Sequence, residues 1–140
     1  MSFKLFKFHP TIEAAVQALG YEEPTPIQSQ CIPLILQGHD VMGMAQTGTG
    51  KTAAFGLPIL QKLMEGPRKR ARALIVAPTR ELAEQIHEAI DQLGRKTKLK
   101  SVTVYGGVKQ NPQVRKLQEG AEIVVACPGR LLDLMDQGVI

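Results

Sequence analysis

The stretch Ala45-Gln46-Thr47-Gly48-Thr49-Gly50-Lys51-Thr52 decides how the rest of the chain is read. It fits a glycine-rich loop that closes on Gly-Lys-Thr, with Ala45 where a first glycine often stands. The apolar run before it, 41–45 (VMGMA), predicts a buried strand. The residues after it predict a helix from Lys51 to about Glu65, which Pro58 should kink or split. Strand, glycine loop and helix together form a string of backbone N–H groups that can curl around phosphate oxygens. Gly48 and Gly50 permit the tight path, and the helix N-terminus adds the positive end of its dipole. Lys51 supplies a point charge for the outer phosphates, and Thr52 a hydroxyl for a magnesium ion. The stretch therefore points to a nucleoside triphosphate site. The plain alternative is a glycine turn with an exposed lysine.

Outward from the loop, the apolar spacing alternates between two periods. Segments 11–19 and 26–36 carry helical spacing and are closed by Gly20 and Gly38; Thr25 and Pro26 make a cap and a first helical position for the second. Strands are predicted over 73–77, 101–105 and 122–126, with helices over 79–94, 111–120 and 130–138. Strand followed by helix, repeated along the chain with near-continuous apolar strands, predicts an α/β fold with a parallel sheet covered by helices on both faces. Without internal repeats or low-complexity linkers, the 140 residues read as one α/β unit.

Composition sets the setting. No apolar run approaches the roughly 20 residues needed to cross a bilayer, and the lysine-broken N-terminus does not read as a leader, so a cytoplasmic protein is expected. Cys31 and Cys127 lie far apart in apolar settings and read as buried thiols, not as a disulfide or a metal site. His9, His39 and His87 are scattered and read as surface or internally satisfied residues. The net charge is +4, and much of it lies in two runs, Arg68-Lys69-Arg70 with Arg72, and Arg95-Lys96 with Lys98 and Lys100. Charge runs in loops ordinarily face water. A nucleic-acid footprint is the sharper alternative.

The segment 20–28 (GYEEPTPIQ) followed by AQTGTGKT resembles the adenine-recognition motif and phosphate loop of DEAD-box RNA helicases. The likeness continues through 78–82 (PTREL), the pair Gly106-Gly107 and 128–130 (PGR), in that family's order and spacing, and covers essentially the whole chain. The N-terminal FKFHPTIEAAVQALGY looks most like the bacterial RhlE-like branch. The resemblance implies a P-loop, RecA-like sheet. It implies that 1–140 is part of a first RecA-like domain and that 1–38 forms its adenine-recognition helices. ATP or ADP with Mg2+ is the implied ligand. Gln28 would select adenine, with Phe3 and Tyr21 packing near the base and Thr25 ordering the loop. Ala45, Gln46, Thr47, Gly48, Thr49, Gly50, Lys51 and Thr52 would hold phosphates and metal, with Lys51 the residue nearest the chemistry. RNA would be held by its backbone along Pro78, Thr79, Arg80, Glu81, Gly106, Gly107, Cys127, Pro128, Gly129 and Arg130. A threonine is usual where Cys127 stands, so a hydroxyl donor is exchanged for a weak thiol.

Read from the residues alone, Gln28 is also a surface glutamine, PTREL a capped helix start, and the glycine pair a turn. A different P-loop enzyme, such as a small kinase, leaves PTPIQ, PTREL and PGR without a reason. Hydrolysis needs an acidic pair after another buried strand, one carboxylate serving the magnesium site and one positioning water. In the family that pair is the DEAD sequence itself, expected beyond PGR, and the chain reaches Ile140 before it. The expectation is an ATP- and RNA-binding portion that does not turn over alone. A second RecA-like domain would be its partner in the parent, and the exposed sheet edge would pair with another copy. The competing expectation is a catalytically silent binding module or an inactive, oligomerising fragment.

Overall fold

Three runs rich in β-branched residues pair in parallel: β1 (Ala73–Val76), β2 (Ser101–Val104) and β3 (Ile123–Ala126), in the order β1-β3-β2. This computed structural model describes residues 2–48 and 50–140. The register sets Ala73 and Ser101 level with Ile123, and Val76 and Val104 level with Ala126. β3 is buried along its whole length, as a central parallel strand must be. Helix α5 (Asn111–Gln118) connects β2 to β3, and α6 (Pro128–Asp136) follows β3. On one face, Val102, Val104, Val124 and Ala126 form a core with Leu131 and Leu134 of α6, and Val114 and Leu117 of α5 pack against it. Ile123 and Val125 point to the other face and are also fully buried. The α/β class with a parallel sheet is as expected.

The amino ends of the three strands meet at one buried side chain. The Glu122 carboxylate accepts the backbone N–H of Lys69 at 2.7 Å and of Lys100 at 2.8 Å. Its backbone carbonyl accepts Arg72 and Ala73. Beside it Gly120, at φ +97°, lets the Lys69 backbone pass against its α-carbon. Lys69 itself takes a left-handed conformation, φ 62°.

β1 is an edge. The N–H groups of Ala73 and Ala77 donate toward β3, so by the alternation of a parallel ladder those of Leu74 and Val76 face away from it. Leu74 is 55% exposed and Val76 53%, and among the described residues no strand pairs with that side.

By contact density these strands belong to one of two units, Gly66–Asp91 with Leu99–Ile140; the other is Met1–Glu65 with Gln92–Lys98. The latter holds a 3-10 turn, Phe3–Phe6, and the helices α1 (Pro10–Ala18), α2 (Pro26–Leu36) and α3 (Lys51–Leu63). α2 packs along α3, and Ile12, Ile32, Leu57 and Leu60 are among that unit's most buried large side chains. Helix α4 (Arg80–Leu93) carries a single buried stripe of Ala83, Ile86, Ile90 and Leu93.

Three expectations change. Residues 41–45 are not a strand: among the described residues nothing offers them a ladder, and Met42 and Met44 are 92% and 87% exposed. A strand is made by its neighbour, and an apolar run without one stays irregular. Pro58 does not split α3, because buried Leu57, Leu60 and Leu63 hold both sides of it on one stripe. α6 starts at Pro128 and not at residue 130, since proline suits a first helical position. Of the cysteines, both free, Cys31 is buried but Cys127 only half so. Among the described residues no helix is long and apolar enough to cross a membrane.

Candidate nucleotide and nucleic-acid sites

The glycine loop leaves the irregular segment 41–45 and enters α3 through Gly50, whose φ of +82° is the left-handed conformation glycine favours. Gly48 has the same φ. Lys51 is the first residue of α3 and exposed; Thr52 follows, half-buried. Ala45 is half-buried, and Gln46, Thr47 and Gly48 are exposed. Thr49 lies outside the described residues. Lys51 lines a cavity of about 240 Å³ with Ile27, Cys31, Val41 and Phe55.

Gln28 is tied directly to this loop. Thr25 and Pro26 start α2, which puts Gln28 at its third position, where a side chain can fold back to the cap. The Gln28 Oε1 accepts the Thr25 N–H at 2.9 Å, and its Nε2 donates to the Gly50 carbonyl at 3.1 Å. Gln28 is only 3% exposed. A Cβ on Gly50 would collide with that amide nitrogen, so glycine is required there for contact as well as for φ. The Thr25 hydroxyl is buried beside Gly50 and faces the Gln28 backbone N–H, the other half of the capping box.

Phe3 and Tyr21 meet each other, with ring centroids 5.9 Å apart, and Phe3 also packs edge-on against Phe6. They line a cavity of about 280 Å³ together with Lys4, Phe8 and Glu22; neither Gln28 nor the loop lines it. The residues present fit a bound nucleotide: a glycine path and an exposed lysine at a helix N-terminus. For a magnesium ion they offer the Thr52 hydroxyl. No group of three or more His, Cys, Asp or Glu suited to a metal occurs among the described residues, so the ion would be held with phosphate oxygens and water beside Thr52.

A second constellation forms where the parallel strands end. Pro78 and Thr79 follow β1, and the Thr79 hydroxyl accepts the Leu82 N–H at 3.2 Å, capping α4. Arg80 and Glu81 open that helix and are exposed. The Arg80 guanidinium carbon lies 5.2 Å from the centre of the Tyr105 ring. Tyr105 hydrogen-bonds through its hydroxyl to Glu84, which raises the phenol pKa; partial burial raises it further, and Arg80 opposes the shift. Gly107, at φ +80°, lies against the Arg80 guanidinium, which a Cβ would meet at 2.8 Å, whereas a Cβ on Gly106 would meet open space. The two glycines thus have different jobs.

Cys127 ends β3 and caps α6 in an extended conformation without a side-chain hydrogen bond. Pro128 and Gly129 are exposed, and a Cβ on Gly129 would also meet nothing. Arg130 donates to the Gln113 Oε1 at 3.1 Å and to the Val108 carbonyl at 2.9 Å. Gln113 in turn donates from Nε2 to the Tyr105 carbonyl at 3.0 Å. The segment from Tyr105 to Gln113 therefore holds both arginines. Sequence reasoning missed Tyr105, Glu84 and Gln113. An aromatic residue directly before the glycine pair was the available signal for the first; the others had none.

The model of the DEAD/DEAH box helicases matches residues 25–139. The ATP-dependent RNA helicase DeaD of Escherichia coli strain K12 is 49% identical over 132 residues, 94% of this chain and 21% of that protein. The DEAD-box ATP-dependent RNA helicase CshA of Streptococcus pneumoniae serotype 4 is 48% identical over 135 residues, 96% of this chain and 26% of that one. The crystal structure of a hypothetical ATP-dependent RNA helicase from Sulfolobus tokodaii matches with a TM-score of 0.86 at 44% identity, covering 95% of this chain and 38% of that one. The chain thus spans about a fifth to a quarter of the curated relatives' length. With close to half its residues shared with each of these helicases and a family match running from Thr25 to Val139, the chain belongs to the DEAD/DEAH box helicases.

Proposed function

We propose that these 140 residues are the ATP-binding and RNA-backbone-binding part of a cytoplasmic, ATP-dependent RNA helicase's first RecA-like domain, with residues 1–38 serving adenine recognition. The observation that carries this reading is the bond from the Gln28 amide to the Gly50 carbonyl, which joins a base-reading group to the phosphate loop. Gln28 uses one N–H and one lone pair on Gly50 and Thr25. A carboxamide has a second of each, the complement that adenine N7 and N6 require. Lys51 and the N–H groups opening α3 would hold phosphates. Mg2+ would neutralise phosphate charge, with Thr52 as its protein ligand.

Thr79, Arg80 and Arg130 would bind successive RNA phosphates, with Gly106 and Gly129 leaving room for the sugar-phosphate chain. Contacts of that kind carry no base information, so binding would be sequence-independent and salt-sensitive. In a longer parent, a second RecA-like domain would complete the clamp.

A fluorescent ADP titrated with Mg2+ into the purified chain tests the first half of this reading. It should bind, and unlabelled ADP should displace it while GDP does not. Equal displacement by GDP would remove Gln28 from base selection, and no binding would remove the site.

The exposed Leu74 and Val76 on the open edge of β1 favour a second property. We infer that two copies pair through this edge, as exposed apolar edges tend to. Light scattering over a wide concentration range should show a species heavier than the monomer. A uniform monomer throughout rules the pairing out.

A further inference from the structure

We propose that Gln113 is a positioning residue that sets Arg130 for a phosphate of the RNA backbone; this deepens, and rests on, the RNA-binding reading above. Gln113 stands in the first turn of α5 and is only 7% exposed. Its amide orientation follows from its neighbours. The Tyr105 carbonyl can only accept, so it takes the Nε2 donor at 3.0 Å. Oε1 is thereby left facing Arg130, whose guanidinium can only donate, at 3.1 Å. A flipped amide would set donor against donor and acceptor against acceptor. The amide is therefore a relay, anchored by donating to the Tyr105 carbonyl and offering its own oxygen as acceptor to the arginine.

That acceptor and the Val108 carbonyl occupy Nη1 and Nη2 of Arg130, at 3.1 and 2.9 Å. With both terminal nitrogens anchored on the protein, the guanidinium is held in one pose. Its remaining N–H groups are what it can present to a phosphate. An arginine fixed beforehand loses less side-chain entropy when its ligand arrives, which is the gain from pre-organisation. Arg80 is held in another way, over the Tyr105 ring and beside Gly107. The two arginines are thus held differently, and Gln113 answers for Arg130.

The test is a double-mutant comparison on the full chain, using a fluorescent single-stranded RNA at low salt. Arg130→Ala should weaken binding by roughly tenfold. Gln113→Met, which keeps the shape and removes both polar contacts, should weaken it by roughly threefold to tenfold. Combined with Arg130→Ala, it should cost nothing further, because its effect passes through that arginine. Thermal melting of each variant accompanies the titrations. Should Gln113→Met fail to fold, Gln113→Glu takes its place. It sets a carboxylate against the guanidinium, and should weaken RNA about as much as Arg130→Ala, again without adding to it. A loss that adds fully to Arg130→Ala would reveal a general structural role and overturn the proposal. So would an Arg130→Ala effect that neither Gln113 variant reproduces. No effect of Arg130→Ala itself would overturn the RNA-track reading along with it.

Discussion

Replacing Gly120 by alanine should destabilise the sheet-bearing unit by about 3 kcal/mol, read as a lower urea midpoint with an unchanged slope. Two costs add. Gly120 has φ +97°, a conformation that costs an L-residue roughly 1–2 kcal/mol. The added methyl would also overlap the backbone of Lys69, its carbonyl and α-carbon alike, and backbone cannot swing aside as a flexible side chain can. Nor is Lys69 free to retreat, for its N–H is held by the buried Glu122 carboxylate at 2.7 Å, and that carboxylate also holds Lys100. Moving the loop would pull on the amino ends of β1 and β2 together. Gly129→Ala is the natural control. Its Cβ meets open space and its φ is not positive, so the change should stay within about 0.5 kcal/mol of the parent. Equal stability of the two variants would show that the Lys69 loop is not pinned as described. With total stability of an ordinary domain at roughly 5–15 kcal/mol, the loss at Gly120 is a large share.

What the sequence discloses follows from how local each signal is. The helix 26–36 was legible to the residue because Thr25, Pro26 and Gly38 lie within it or beside it and act through the chain's own backbone. The three observed strands were legible within a residue or so, since β3 in particular is apolar throughout. Segment 41–45 is apolar too and has no ladder, because a strand's partner is not written in its own residues. The start of α6 at Pro128 was written locally and passed over. At the sheet's carboxyl ends, PTREL and PGR announce themselves, but Tyr105 and Gln113 become part of the arrangement only through tertiary contacts. The same holds for the glycine pair. Sequence alone gave both residues one purpose, whereas Gly107 accommodates Arg80 and Gly106 faces open space.

Lys51→Ala should weaken ADP binding by roughly thirtyfold to a hundredfold while leaving the fold intact. A hydrogen bond from a charged donor to a phosphate contributes roughly 1.5–3 kcal/mol, and the alanine leaves nothing that reaches as far. The contrast with Gln28 explains why the lysine gives the cleaner result. Gln28 is buried and holds both Thr25 and Gly50, so truncating it would disturb α2 and the loop together, and a lost affinity would have two explanations. Lys51 is exposed, with no hydrogen bond between its ammonium and the rest of the chain needed to start α3, which Gly50 caps by conformation. Its truncation should therefore move stability by no more than about 0.5 kcal/mol. A variant that binds ADP as well as its parent would remove the lysine from the phosphate site. The same variant sets the floor for turnover. Phosphate release from ATP by the unmodified 140 residues, with RNA present, should not rise above it, since the sequence carries no DEAD carboxylates to position a metal and a water. Hydrolysis clearly above that floor would mean that other acidic groups of this chain do the work assigned to the missing pair.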